Sequence, residues 1–159
     1  MSKAFFDRIP ISVSLDSTLE AENLKTKSLD RKEISLVVIN IPLRDSKEEY
    51  LKQSLLDKLP NVLHKSNIQE LHNDGSGIIF TIYAKPESID RRQYGTEHIL
   101  DITRNLNIDS NLYHSKLKDE VREQIQDMFK DDQFPLLVST KGFGMGIDKP
   151  NIRYIIHSC

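Results

Sequence analysis

Cysteine is nearly absent: the 159 residues hold one, Cys159. A single thiol gives no disulfide framework and no CxxC metal knuckle within one chain, so neither staples this protein. That usage fits a reducing compartment and sets the expectation of an intracellular protein, cytoplasmic or nucleoid-associated. Long apolar runs are also missing. The longest, residues 34–41, is interrupted by Asn40 and is far shorter than a membrane span. Residues 1–10 lack the basic-then-apolar layout of a signal peptide, and no membrane partner is expected. Strong charge of one sign is lacking too. The net charge is −2, whereas a dedicated nucleic-acid wrapper is strongly basic. Any nucleic-acid contact must therefore be local, made by a few amides, hydroxyls and basic side chains.

What remains is the composition of a soluble globular protein, 38% hydrophobic and 29% charged. The length suits one domain with a core that needs no metal or disulfide. Residues 1–27 are polar and weakly patterned, although Ile9, Ile11, Val13 and Leu15 alternate as in a short strand. This segment reads as a tail or the remnant of a preceding lobe. Residues 33–41 (EISLVVINI) read as a strand buried on both faces, stopped by Pro42. Ser46 is placed to cap a helix that runs to Leu59 with Tyr50, Leu51, Leu55 and Leu59 on one face, and Pro60 is expected to end it. A short helix is expected within residues 62–72, and a second buried strand over 77–83 (GIIFTIY). The charged stretch 86–95 looks like an insertion before a helix over 96–105. A short strand at 111–113, a helix over 117–130, a strand over 134–140 and a last strand over 152–157 complete the pattern. The helix over 117–130 carries Leu117, Val121, Ile125, Met128 and Phe129 as its apolar stripe, with Asp119 and Glu120 suited to its first turn. Strands alternating with amphipathic helices predict an open, mainly parallel α/β sheet with helices on both faces.

The segment with the most chemistry is 136–157, LLVSTKGFGMGIDKPNIRYIIH. It reads as strand, glycine-rich turn, strand. Thr140 falls at the carboxyl end of a buried strand, where open α/β sheets place ligands. Gly142, Gly144 and Gly146 permit close backbone approach, and exposed amides there can hold an anion such as a phosphate. Asp148 offers a carboxylate for sugar hydroxyls. The same residue types also make ordinary turns, and GFGMGI lacks the third glycine of a dinucleotide fingerprint.

The run STKGFGMGIDKPNIRYIIH resembles motif V of superfamily 2 helicases, in the form typical of the RecQ family. Three weaker likenesses precede it in the family's order. YHSKL (113–117) resembles Tyr-His-Ala-Gly-Leu, GIIFTIY resembles the motif IV strand, and SLDRKEI (28–34) resembles the lead into the second motor domain. The resemblance covers residues 28–159. It implies the second RecA-like lobe of an ATP-dependent DNA helicase, a three-layer α/β/α domain with a mainly parallel sheet, C-terminally truncated before motif VI.

By the same resemblance, Thr140, Lys141 and Gly142 would touch a phosphate of the tracking strand. Gly146 and Asp148 would border the ATP ribose, and His114 and Ser115 would face DNA phosphates from a helix start. Ser115 has an alternative as a helix cap, and His114 as an exposed turn histidine. Thr140 could simply end its strand, and Asp148 could simply shape its turn. After the motif IV strand the family often has Asn-Ser-Arg, where this chain has Ile82, Tyr83 and Ala84, leaving Thr81 and Lys85 as the nearest polar groups. Lys116 stands where the family usually has glycine.

The P-loop pattern, a DEAD or DEAH box and the Gln-x-x-Gly-Arg-x-Gly-Arg motif do not occur in these residues. Phosphoryl transfer depends on positioned charges of those kinds, so the expectation is a lobe without catalytic residues, inactive alone and with no metal site. ATP and Mg²⁺ would belong to the intact parent, and none is expected bound to this fragment. The implied partners are DNA, as single strand and duplex junction, gripped through its backbone, and an N-terminal RecA-like lobe. Two other readings stand beside this one: a lobe of another superfamily 2 motor such as an RNA helicase, and a non-catalytic nucleic-acid-binding module.

Overall fold

The computed structural model describes residues 11–16, 35–41, 47–84, 95–140, 143 and 148–158. Six strands form one sheet in the order β2-β1-β6-β3-β5-β4. They are β1 (Ile11–Asp16), β2 (Ser35–Asn40), β3 (Ser76–Thr81), β4 (Ser110–Tyr113), β5 (Leu136–Thr140) and β6 (Ile152–Ser158). Every neighbouring pair of these strands is parallel. The alternating stretch in the first 27 residues thus supplies a strand inside the sheet, between β2 and β6. The expected insertion over 86–95 lies outside the described residues up to Gly95.

The helices are α1 (Lys47–Gln53), α2 (Leu59–Val62), α3 (Ile68–Asp74), α4 (Thr96–Asn105) and α5 (Asp119–Lys130). The first four cover one face. Leu51, Leu55, Leu59, Ile68, Leu71, Ile99 and Ile102 pack there on Ile79, Leu136, Val138, Tyr154 and Ile156. The other face meets α5, whose Ile125 and Phe129 pack with Ile78, Phe134, Leu137 and Phe143. Val121, in the first turn of α5, is exposed instead of joining the stripe.

Pro60 does not end the first helical stretch. A π-helical turn, Ser54–Lys58, joins α1 to α2, and Pro60 lies inside α2. The Leu59 amide reaches back five residues to the Ser54 carbonyl. This wider turn accommodates a residue that has no N–H to donate and whose ring would clash with the carbonyl four residues back. The following helix also starts later than expected. His64 takes a left-handed φ of 55°, and Asn67 caps α3 by accepting from the Glu70 amide at 2.8 Å.

One close approach fixes the sheet's centre. Tyr154 on β6 is fully buried, and its hydroxyl lies 2.8 Å from His72 Nε2. Its ring lies over Gly77 of β3, so that a Cβ at position 77 would collide with it. The glycine of GIIF is therefore required by packing against an aromatic ring.

Candidate functional site

Parallel pairing brings the carboxyl ends of the central strands to one edge. Thr81 of β3 is in register with Thr140 of β5 and Ser158 of β6, and Tyr113 of β4 with Ser139 of β5. Thr81, Thr140, His114 and Ser115 consequently share one edge of the sheet. Lys141 and Gly142, which follow Thr140 directly, lie outside the described residues, as does Gly146.

Hydroxyl groups brace this edge. Ser139 is fully buried, and its Oγ lies 3.0 Å from the Tyr113 carbonyl, tying β4 to β5. Thr81 is 2% exposed, with its hydroxyl directed at the carbonyls of Tyr83 (3.1 Å) and Ser139 (3.4 Å). In this arrangement it holds the edge together and does not present its hydroxyl to solvent. Thr96 anchors the next segment to the start of α4, its amide donating to the Tyr83 carbonyl and its hydroxyl to that of Ala84. Thr140 is only half-buried. Its carbonyl accepts from the Phe143 amide at 3.0 Å. Phe143 is itself anchored on the α5 face, edge-on to Tyr113 at 4.6 Å between centroids and also against Phe129. Thr140 and Phe143 are thus tied to each other and to the α5 face.

His114 is 6% exposed, and its Nδ1 is buried without a hydrogen-bond partner among the described residues. Burial lowers its pKa, with Glu97 opposing that shift. It is not an exposed turn histidine. Ser115 is exposed and is not the cap of α5, whose N-cap position is Lys118 with no side-chain bond. The first turn of α5 already carries Asp119 and Glu120, and Arg122 pairs with Asp119 at 2.5 Å. Those carboxylates offset the helix dipole and would repel a phosphate at the helix start; Ser115 and Lys116, ahead of it, are exposed.

Asp148 stands apart from this group. It is exposed and belongs to the turn that enters the amino end of β6. A five-residue strand spans roughly 17 Å, so this turn and the Thr140 edge mark opposite ends of the sheet. The residues that secure the turn were not evident from the sequence. Lys149 and Asn151 both donate to Asp132 Oδ1, at 2.6 and 2.9 Å, from a stretch that reads as an ordinary Asp-Lys-Pro-Asn turn. Asp132 sits in a charged run, and only its φ of 56° sets it apart. Among the described residues no group of three or more His, Cys, Asp or Glu is placed to hold a metal ion. Nor is any helix among them long and apolar enough to cross a membrane.

A mainly parallel sheet with helices on both faces and polar residues gathered at its strand ends defines a RecA-like α/β lobe. The profile of the helicase conserved C-terminal domain matches residues 54–159, well over half of the chain, and the chain belongs to that family. Within it the chain is related to the RecQ helicases. It is 48% identical over 46 residues to the ATP-dependent DNA helicase RecQ of Bacillus subtilis, covering 29% of this chain and 8% of that protein. It is 30% identical over 111 residues to the RecQ-like DNA helicase blm-1 of Caenorhabditis elegans, covering 67% of this chain and 10% of that protein. The chain therefore spans about a tenth of the length of the relatives it matches. The solved helicase domain of Pyrococcus furiosus Hef shares the fold, with a TM-score of 0.50 and 19% identity over 70% of this chain and 20% of that one. The strands β1 and β2 and the helix α1 precede the matched range.

Proposed function

We propose that this chain is the second motor lobe of an ATP-dependent DNA helicase and grips the DNA backbone with the carboxyl edge of its sheet. The observation that carries the proposal is the edge at which Thr140 ends its strand. Thr81 is in register with it there, and the Tyr113–His114 strand end arrives beside it. The half-buried Thr140, the exposed Ser115, Lys141 and the amide of Gly142 supply hydroxyl, ammonium and N–H donors for phosphate oxygens. His114 lines the edge from within, and Thr81 braces it. Donors of this kind bind without reading bases, which suits a lobe that must grip and then release.

The turn with Gly146 and Asp148 faces the nucleotide ribose in this reading. An exposed carboxylate has the right chemistry to accept hydrogen bonds from sugar hydroxyls. In this reading the catalytic charges belong to the N-terminal lobe, since the P-loop and DEAD or DEAH patterns do not occur in these residues. Bound ATP with Mg²⁺ would supply the free-energy difference that favours a closed arrangement with an N-terminal lobe. This lobe contributes its DNA grip at one edge and its ribose contact at the other end, and closure moves both as one body.

The test is a competition assay with the protein expressed from its complete reading frame, using matched DNA and RNA duplexes. Preferential, ATP-dependent unwinding of DNA is expected. Preferential RNA unwinding would replace the DNA reading with that of an RNA motor.

A further inference from the structure

Lys149 is proposed above neither for the DNA grip nor for the ribose contact, yet its surroundings are highly organised. Its side chain is 2% exposed, and Nζ donates to Asp132 Oδ1 at 2.6 Å. The same ammonium lies 3.4 Å from the Lys130 carbonyl and 5.0 Å from the centre of the Phe129 ring. Asn151 Nδ2 donates to the same carboxylate oxygen at 2.9 Å, and Ser76 Oγ lies 3.4 Å from it. Asp132 follows the end of α5 in a left-handed conformation, with the Gln133 amide closing back on the Met128 carbonyl. One carboxylate at the end of α5 thus receives donors from the first residue of β3 and from the turn before β6. The backbone joins the same elements, with the Ser76 amide donating to the Asn151 carbonyl at 2.9 Å.

A methionine at 149 would fill similar space beside Phe129 without desolvating an ammonium. Burying a cation costs several kcal/mol before its partners offset it, so the charge is a poor way to gain stability alone. What it adds is direction, since one oxygen fixes where the turn can sit.

We propose that Lys149 is a positioning residue that clamps the 148–151 turn, and Asp148 with it, to the end of α5 and the start of β3. The proposal rests on reading Asp148 as the ribose contact. The clamp makes α5, β3 and the turn one body, so lobe closure brings Asp148 to the nucleotide without a separate ordering step. Misplacing a contact by an ångström can cost far more than its hydrogen bond is worth.

The experiment measures DNA-stimulated ATP hydrolysis by the protein expressed from its complete reading frame, with kcat, KM for ATP and single-stranded DNA affinity read separately. Lys149→Met is expected to raise KM roughly tenfold, with DNA affinity, set at the opposite end of the sheet, within about twofold. Lys149→Arg, which keeps charge and donor, should recover KM to within about threefold of the parent. Asp132→Asn should raise KM about threefold, and the double variant should be no worse than Lys149→Met, because the two share one interaction. A merely structural lysine would lower the thermal midpoint and the active fraction, hence kcat, and leave KM alone. Unchanged KM in Lys149→Met, while Asp148→Ala raises it, overturns the clamp. Unchanged KM in Asp148→Ala overturns the ribose reading and this inference with it. Should Lys149→Met fail to fold, unchanged KM in Asp132→Asn overturns the clamp.

Discussion

Gly77→Ala is the sharpest perturbation of the fold that carries the site. The added Cβ would sit within the contact distance of three atoms of the Tyr154 ring. The ring has nowhere to go, since Tyr154 is fully buried and its hydroxyl is held by His72 at 2.8 Å. Overpacking a close-packed core costs about 1–3 kcal/mol, and a blocked ring belongs at the upper end. The lower entropy of an unfolded chain with alanine in place of glycine returns about 0.4–1 kcal/mol. The expected net loss is about 2 kcal/mol, or roughly 4–8 °C in Tm for a chain of this size. Urea denaturation followed by circular dichroism measures it, with the slope checked for change. The mechanism predicts a partner. Tyr154→Leu is itself destabilising, but combined with Gly77→Ala it should recover at least about 1 kcal/mol relative to the sum of the singles. If Gly77→Ala stays within about 0.5 kcal/mol of the parent, or the double variant is simply additive, the steric account is wrong.

Other outcomes follow from the same contacts. Burial lowers His72 to a pKa of about 4 from 6.5. The unfolded chain then takes up a proton that the folded one refuses, so stability should fall as pH drops from 6.5 towards 4, by at most on the order of 3 kcal/mol. His72→Gln should flatten that part of the stability-versus-pH curve measured by denaturant titration. Asp132 is held below the ordinary carboxylate range, first by its hydrogen bond from Lys149 and then by that from Asn151. Its stabilisation is present above its unfolded pKa and is lost as pH falls through the lower folded value, so Asp132→Asn should make acid unfolding below pH ~4 shallower. Thr140→Val should weaken single-stranded DNA binding about three- to tenfold, the worth of one or so hydrogen bonds, without changing the salt dependence. Lys141→Ala should instead reduce the salt slope by about 0.7. The chain on its own should show no ATP turnover in a clean preparation, and measurable turnover would contradict the assignment of catalytic charges elsewhere.

The centre of the parallel sheet was legible because LLVST and GIIFT are short apolar runs separated by amphipathic helices, but β2, expected to be buried on both faces, is an edge strand with Leu36, Val37 and Val38 exposed. The helix boundaries were less so. The proline rule that should have stopped the helix at residue 60 was overridden by a π-helical turn, which follows from backbone hydrogen bonding and leaves no mark in composition. At the site, the sharing of one edge by Thr81, Thr140 and His114 could be anticipated, since parallel strands send their carboxyl ends the same way. The burial of two of them could not be: Thr81 and His114 look polar and available in the sequence, but they are 2% and 6% exposed, and Thr81 turns its hydroxyl to the Tyr83 and Ser139 carbonyls. The Lys149–Asp132 contact joins residues 17 positions apart, and periodicity carries no signal for such a pair.

The carboxyl edge is the surface proposed to meet DNA. A titration of the ¹⁵N-labelled chain with a short oligodeoxythymidine, followed by amide chemical shifts, addresses this directly. Shifts are expected at Thr140, Lys141, Gly142, His114 and Ser115, weakened by salt, with His72 and the α3 amides unmoved. Shifts centred on α3 or on the outer strand β2, with Thr140 and its neighbours unchanged, would contradict the proposal.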